Sequence, residues 1–174
     1  MYTMKREMIK LIQDVIKDNS KLYSLENIYE LYDQLQYSEN LKEMAETLCY
    51  WLKLKYNISN INFSLFDLDT EESTLLLKTG KDFHPDDQFA FYFIINTHTY
   101  MNAIVSFCSD DEETFKLLEK NQPIIDAAFF QISPLLQNGI IKKHHIEASS
   151  LDSVTNVYNR KHFINHLKKN YFTF

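Results

Sequence analysis

The sequence predicts a mixed α/β protein of the α+β type: one antiparallel sheet flanked by helices, with long helices at both ends. Three observations carry this. Apolar residues recur at helical spacing near both termini. Ile61, Phe63 and Leu65 alternate with Asn62 and Ser64, the period of a half-buried strand. Two apolar runs, 89–95 and 100–107, are separated only by Asn96, Thr97, His98 and Thr99, which reads as a hairpin.

The first helix follows from Met1, Met4, Met8, Leu11 and Val15, a heptad seam widened by Ile12 and Ile16. Barely two heptads are present. Packing on its own domain and pairing with a second copy are both open. Asp18, Asn19 and Ser20 end it. A second helix is expected over 25–36, with Leu25, Ile28, Tyr32 and Leu35 on one side. A third begins after Asn40, an N-cap with Glu43 three residues on. Leu41, Met44, Leu48, Trp51 and Leu52 form its apolar face, so Trp51 reads as core. It should stop near Tyr56 or Asn57.

The strand at 61–66 is followed by a polar turn, 67–72, and a second strand at 74–78. Asp67, Asp69, Glu71 and Glu72 lack the central glycine and closing glutamate of a calcium loop, so they read as a solvated acidic turn. A loop over 80–88 contains Pro85. In the next strand, Phe89, Phe91, Phe93 and Ile95 fall on one face and Ala90, Tyr92 and Ile94 on the other. Two apolar faces suggest a strand inside a sheet covered on both sides by helices. Phe63, Phe91, Phe93, Ile104, Val105 and Phe107 are expected in the core.

Ser109 is the expected cap of a long C-terminal helix, with Glu112 at its third position. Phe115, Leu118, Ile125, Phe129, Ile132, Leu136 and Ile140 mark its apolar stripe. Pro123 and Pro134 should kink or restart it. The stripe fades at Lys142, Lys143, His144 and His145, as in a helix leaving a domain.

The 174 residues carry a formal net charge of −6, which argues against broad nucleic-acid binding. The only glycines, Gly80 and Gly139, stand far apart, which excludes a dinucleotide fingerprint and a P-loop. Cys49 and Cys108 suggest buried small hydrophobes and no disulfide framework. No run approaches 18 apolar residues, and Glu7, Lys10, Asp14 and Lys17 interrupt any signal-peptide pattern. A cytoplasmic protein without membrane contact is expected. His162 and His166 have a zinc-compatible spacing but no third ligand, so no metal site is assigned. No motif selects a catalytic set, and no cofactor is expected.

After the exit helix come Asp152, Ser153, Val154, Thr155, Asn156, Val157, Tyr158, Asn159, Arg160, Lys161, His162 and Phe163. This run resembles the opening motif of GGDEF domains, the diguanylate cyclase family, written D-x-L-T-G-L-x-N-R-R-x-F. Asp152, Thr155, Asn159, Arg160 and Phe163 match in position and identity. Val154 and Val157 replace leucines, Lys161 keeps a positive charge, and Asn156 stands where the family has glycine. The match covers only the last 23 residues, 152–174. The family's metal-binding aspartates, guanine-recognising residues and signature loop would lie further on, so this stretch makes no cyclic di-GMP itself. It is expected to be the severed start of a domain in a longer parent, itself a candidate bacterial diguanylate cyclase.

Residues 25–141 resemble a GAF domain, a sensory module common ahead of such cyclases. The order helix, hairpin, hairpin, long helix carries the resemblance, together with Asp111 to Glu119, Gln122, Ala127 and Ala128. Only about nine residues join the second strand to the third, where the family usually has the excursion that roofs its ligand pocket. The resemblance implies four segments: 1–24, a helix and candidate dimerisation segment; 25–141, the sensory domain; 142–151, a linker helix; 152–174, the truncated GGDEF start. It implies a regulatory domain of a cyclic di-GMP signalling protein, acting through the connecting helix on its neighbour, with a homodimer and an unidentified small-molecule ligand as partners. A ligand-independent dimerisation or interaction scaffold is the alternative.

Overall fold

The computed structural model describes residues 2–150. Its elements run α1 (Tyr2–Asp18), α2 (Leu22–Gln36), α3 (Leu41–Tyr56), β1 (Asn60–Asp67), β2 (Ser73–Thr79), β3 (Ala90–Ile95), β4 (Met101–Cys108) and α4 (Glu112–Ser150). The fold is α+β, with one four-stranded antiparallel sheet in the order β2-β1-β4-β3. Two units divide the chain, Met1–Ile140 and Ile141–Phe174. Of the second, only the helical stretch 141–150 is described.

Local chemistry explains the element ends. The Asn40 side chain accepts from the Glu43 amide at 2.9 Å, capping α3 as its sequence predicts. The Glu43 carboxylate reaches back one residue beyond the usual capping box, to the Glu39 amide at 2.7 Å. Asn57 closes α3 in the left-handed region at φ 55°, which asparagine tolerates better than most residues. The expected cap of α4 is corrected. Asp111, not Ser109, accepts from the Thr114 amide at 2.7 Å, and the helix starts at Glu112. A carboxylate answers both the free amides and the positive end of the helix dipole. The same bonds hold the Asp111 carboxyl below its usual range.

Of the two effects expected at the prolines, a kink or a restart, the restart does not occur. α4 is a single helix through Pro123 and Pro134 and restarts at neither. Each proline removes one ladder bond but lies on the exposed side. The opposite side buries Leu118, Ile125, Phe129, Ile132, Leu136 and Ile140, which holds the helix together across both gaps.

A single core joins the elements. Met8 and Leu11 of α1, 3% and 4% exposed, belong to it with Ile28, Leu31 and Leu35 of α2 and Leu48, Trp51 and Leu52 of α3. The middle of the α1 heptad face, Met8 and Leu11 with Met4 beside them, therefore packs inside its own unit, while Ile12 and Ile16 are exposed. From the sheet, the core receives Ile61, Phe63, Leu65, Ile95, Ala103, Val105 and Phe107, all on one face by register. Phe63, Val105 and Phe107 are buried as expected, whereas Phe91, Phe93 and Ile104 are half-buried. Gly139 lets α4 approach α3 closely, since a Cβ there would meet Met44 Sδ at 3.0 Å.

The reading of β3 as a strand covered on both sides is overturned. Among the described residues it is an edge strand, paired only with β4. The helices cover one face, and Tyr92 and Ile94 on the other are 56% and 54% exposed. Alternation reports which residues share a face; it carries no information on whether anything covers that face.

Among the described residues one helix, Glu112–Ala148, is long and apolar enough to cross a membrane by length and composition alone. Half of its most apolar window is buried within the fold, which is the pattern of a core helix.

Candidate functional site

The aromatic strand β3 is the first place to look for a pocket. Phe91 lies against Phe107 and Phe115, with centroids 6.0 and 5.0 Å apart. Phe93 stacks on Phe129 of α4 at 4.1 Å. The space between Phe91, Phe93, Phe107, Leu118 and Ile125 admits no water molecule. This cluster is packing between sheet and helix.

Two open-sided grooves among the described residues are roomier. One, of about 330 Å³, lies between α3 and β2, lined by Glu46, Cys49, Tyr50, Lys53, Leu77 and Thr79 among others. Burial, reinforced by the Glu46 charge, pushes the Cys49 thiol up to about 12, so it is a protonated wall group and a poor nucleophile. The other, of about 350 Å³, lies between the β3–β4 turn and α4, lined by His98, Phe130, Gln131, Ser133, Pro134 and Gln137. His98 sits at φ 58°, its amide held by Asn96 Oδ1 at 2.7 Å. Gln137 Nε2 donates to the Asn96 carbonyl at 2.8 Å, tying the turn to the helix.

The face of the sheet turned away from the core is open among the described residues. By register it presents Asn62, Ser64 and Phe66 from β1, Ile104 and Ser106 from β4, Tyr92 and Ile94 from β3, and Leu75 from β2. Polar Asn62, Ser64 and Ser106 are interspersed with apolar Ile104, and Lys78 of β2 lies opposite Asn62. Asn62 Oδ1 is buried there without a hydrogen-bond partner among the described residues. A buried amide oxygen without a donor is costly and accepts a donor readily.

Asn60, at the head of β1, was not legible as important. Its Nδ2 donates to the Cys108 carbonyl and to Asp110 Oδ1, both at 3.1 Å, and its Oδ1 accepts from the Lys81 amide at 2.9 Å. Lys81 Nζ returns to Asp110 at 3.1 Å. Hydrogen bonds from Asn60 and Lys81, with the Lys81 charge, hold the Asp110 carboxyl below its usual range. Gly80 adjoins this hub at φ 72°, and a Cβ there would lie 2.3 Å from Asn60 Oδ1. An asparagine in a strand is the only sequence signal of this role.

The other residues singled out by the sequence are placed as follows. Trp51 Nε1 donates to the Asn27 carbonyl at 3.2 Å inside the core. Asp67 Oδ1 accepts from the Asp69 and Thr70 amides, closing the acidic turn on itself. Cys108 is half-buried, its thiol raised by burial and by Asp87 and Asp110. His144 and His145 lie on α4 with ring centroids 6.3 Å apart. No cluster of three or more potential metal ligands occurs among the described residues. Asp152, Thr155, Asn159, Arg160, Phe163, His162 and His166 lie outside the described residues.

No protein-family model matches the chain, and no curated protein matches it.

Proposed function

We propose that this chain is the regulatory, sensory segment of a bacterial cyclic di-GMP signalling protein, with α4 as the connection to a GGDEF domain. The observation that carries the reading is the spaced set Asp152, Thr155, Asn159, Arg160 and Phe163, which follows directly on a 39-residue helix. The fold supports it in two ways. Three helices, two hairpins and a long exit helix are what a GAF-like module would need. Phe93 and Phe129 also give the sheet a direct hold on the exit helix.

In this reading the segment is cytoplasmic, homodimeric and not itself an enzyme. A small molecule on the open face would bond Asn62 Oδ1 and cover Tyr92 and Ile94. Moving β3 and β4 would then shift the Phe93–Phe129 contact and the bearing of α4. Such control requires two states of α4 that the signal separates energetically. The test is the initial rate of cyclic di-GMP formation from GTP by the full reading frame, with and without residues 1–141. The reading expects a change of several-fold. A reading frame without a GGDEF domain, or equal rates, would contradict it.

The second reading is a ligand-independent scaffold. It is favoured by the closed aromatic cluster, where a ligand pocket would otherwise lie. Under it, removing residues 1–141 lowers the rate by losing self-association, and a forced dimer restores it.

A further inference from the structure

The free edge of the sheet has a definite hydrogen-bonding pattern. The Phe89 carbonyl accepts from the Ser109 amide at 3.0 Å, which aims the backbone groups of Phe89, Phe91, Phe93 and Ile95 at β4. Those of Ala90, Tyr92, Ile94 and Asn96 therefore point away from the sheet. Both ends of this outward row are already in use. The Ala90 amide donates to the Asp87 carbonyl at 3.0 Å, and the Asn96 carbonyl accepts from Gln137 at 2.8 Å. Between them, the amides and carbonyls of Tyr92 and Ile94 have no partner among the described residues.

The two edges of the sheet differ in how they are protected. β2 carries a register shift against β1 and Lys78, which ion-pairs with Asp82. Bulges and charges are the usual devices that block edge pairing. β3 has neither. Its sequence, Ala-Phe-Tyr-Phe-Ile-Ile, has no charge, proline or glycine, and its register with β4 is unbroken.

We propose that β3 pairs antiparallel with β3 of a second copy of this chain, about a two-fold axis through Phe93, making one continuous eight-stranded sheet. The pattern of used and unused groups selects this register. Phe93 faces its own symmetry mate, and Tyr92 faces Ile94 of the partner subunit in a hydrogen-bonded pair, twice. Each such pair exchanges an amide and a carbonyl bond, which satisfies every open group of Tyr92 and Ile94. Ala90 then faces Asn96 of the partner subunit. The two groups that could not bond there, the Ala90 amide and the Asn96 carbonyl, are the two already satisfied within each chain. Centring the axis on Tyr92 instead would set Ile94 opposite Ala90, whose amide is taken. The Tyr92 ring and the Ile94 side chain meet across the axis on the open face, and no like charges oppose each other despite the net charge of −6.

The test uses the full chain and two double variants on the exposed face, where neither side chain supports the core. Sedimentation velocity should show a dimer for the parent chain. Tyr92→Lys with Ile94→Lys sets lysine opposite lysine and should give a folded monomer with unchanged circular dichroism, whose thermal midpoint no longer rises with protein concentration as the parent's does. Tyr92→Lys with Ile94→Glu sets lysine opposite glutamate in this register only and should restore the dimer. A parent chain that is monomeric at hundreds of micromolar overturns the proposal. So does a dimer that survives the double lysine variant, which would place the interface elsewhere, or a monomer in the lysine–glutamate variant. A monomer whose edge is filled by an extended peptide would likewise exclude the second copy as occupant.

Discussion

The ring of Phe93 lies on the ring of Phe129, with centroids 4.1 Å apart and planes 5° from parallel. It joins the edge strand to the middle of the exit helix. Phe129 is fully buried, so its truncation removes contacts from both layers at once. Phe129→Ala should cost about 3–5 kcal/mol, the usual range for a large aromatic in a core. Tyr92→Phe, on the open face, should change the stability of the monomer by less than about 0.5 kcal/mol. Urea unfolding of both variants checks the contrast. Similar losses would mean that the open face is covered.

Asn60 should be the most costly polar substitution in the sheet. Asn60→Ala leaves the Cys108 carbonyl, the Lys81 amide and Asp110 short of a partner. Leaving buried groups unpaired costs about 1–3 kcal/mol. Asn60→Asp keeps the acceptor for the Lys81 amide but sets a carboxylate beside Asp110. It should therefore be worse at pH 7 than at pH 4. Thermal midpoints at the two pH values read this directly.

Asp126 on α4 gives the chain a pH dependence of its own. Burial, with the Glu7 charge of α1 adding to it, raises its carboxyl to about 6. Glu7 itself pairs with Lys10 at 3.2 Å. A carboxyl raised on folding contributes stability that is complete below the unfolded value near 3.8 and is lost as pH rises through about 6. Asp126→Asn should raise the thermal midpoint at pH 7.5 and lose that advantage by pH 4. A shift of this size would be worth about 3 kcal/mol for a dry site, and solvent around this half-buried group reduces it to about 1 kcal/mol. Equal gains at both pH values would assign the effect to packing.

Most of the fold was legible because local chemistry and periodicity agree over it. Asn40, Glu43 and Asn57 bound α3 as their side chains require. Ile61, Phe63 and Leu65 point into the core as their alternation demands. What failed depended on neighbours in space. Nothing in Ala90 to Ile95 reveals that β3 has one partner strand instead of two. Nothing near Pro123 reveals how firmly Ile125 and Phe129 are held. Ser109 and Asp111 are both competent caps, and only the direction of the chain after β4 chooses between them. The open face was illegible for a related reason. Asn62, Ser106, Tyr92 and Ile94 come from three strands, and only the register brings them together.

The central claim is that α4 transmits the state of this unit to a GGDEF domain, and helix phase tests it most directly. Two residues inserted after Lys142 rotate everything beyond by about 200°, whereas seven restore the phase to within about 20°. The measurement is the initial rate of cyclic di-GMP formation from GTP by the full reading frame carrying either insertion. The account predicts a several-fold change for the two-residue insertion and a near-parental rate for the seven-residue one. Parental rates for both would contradict transmission through the helix, and no product from the parent protein would contradict the cyclic di-GMP assignment itself.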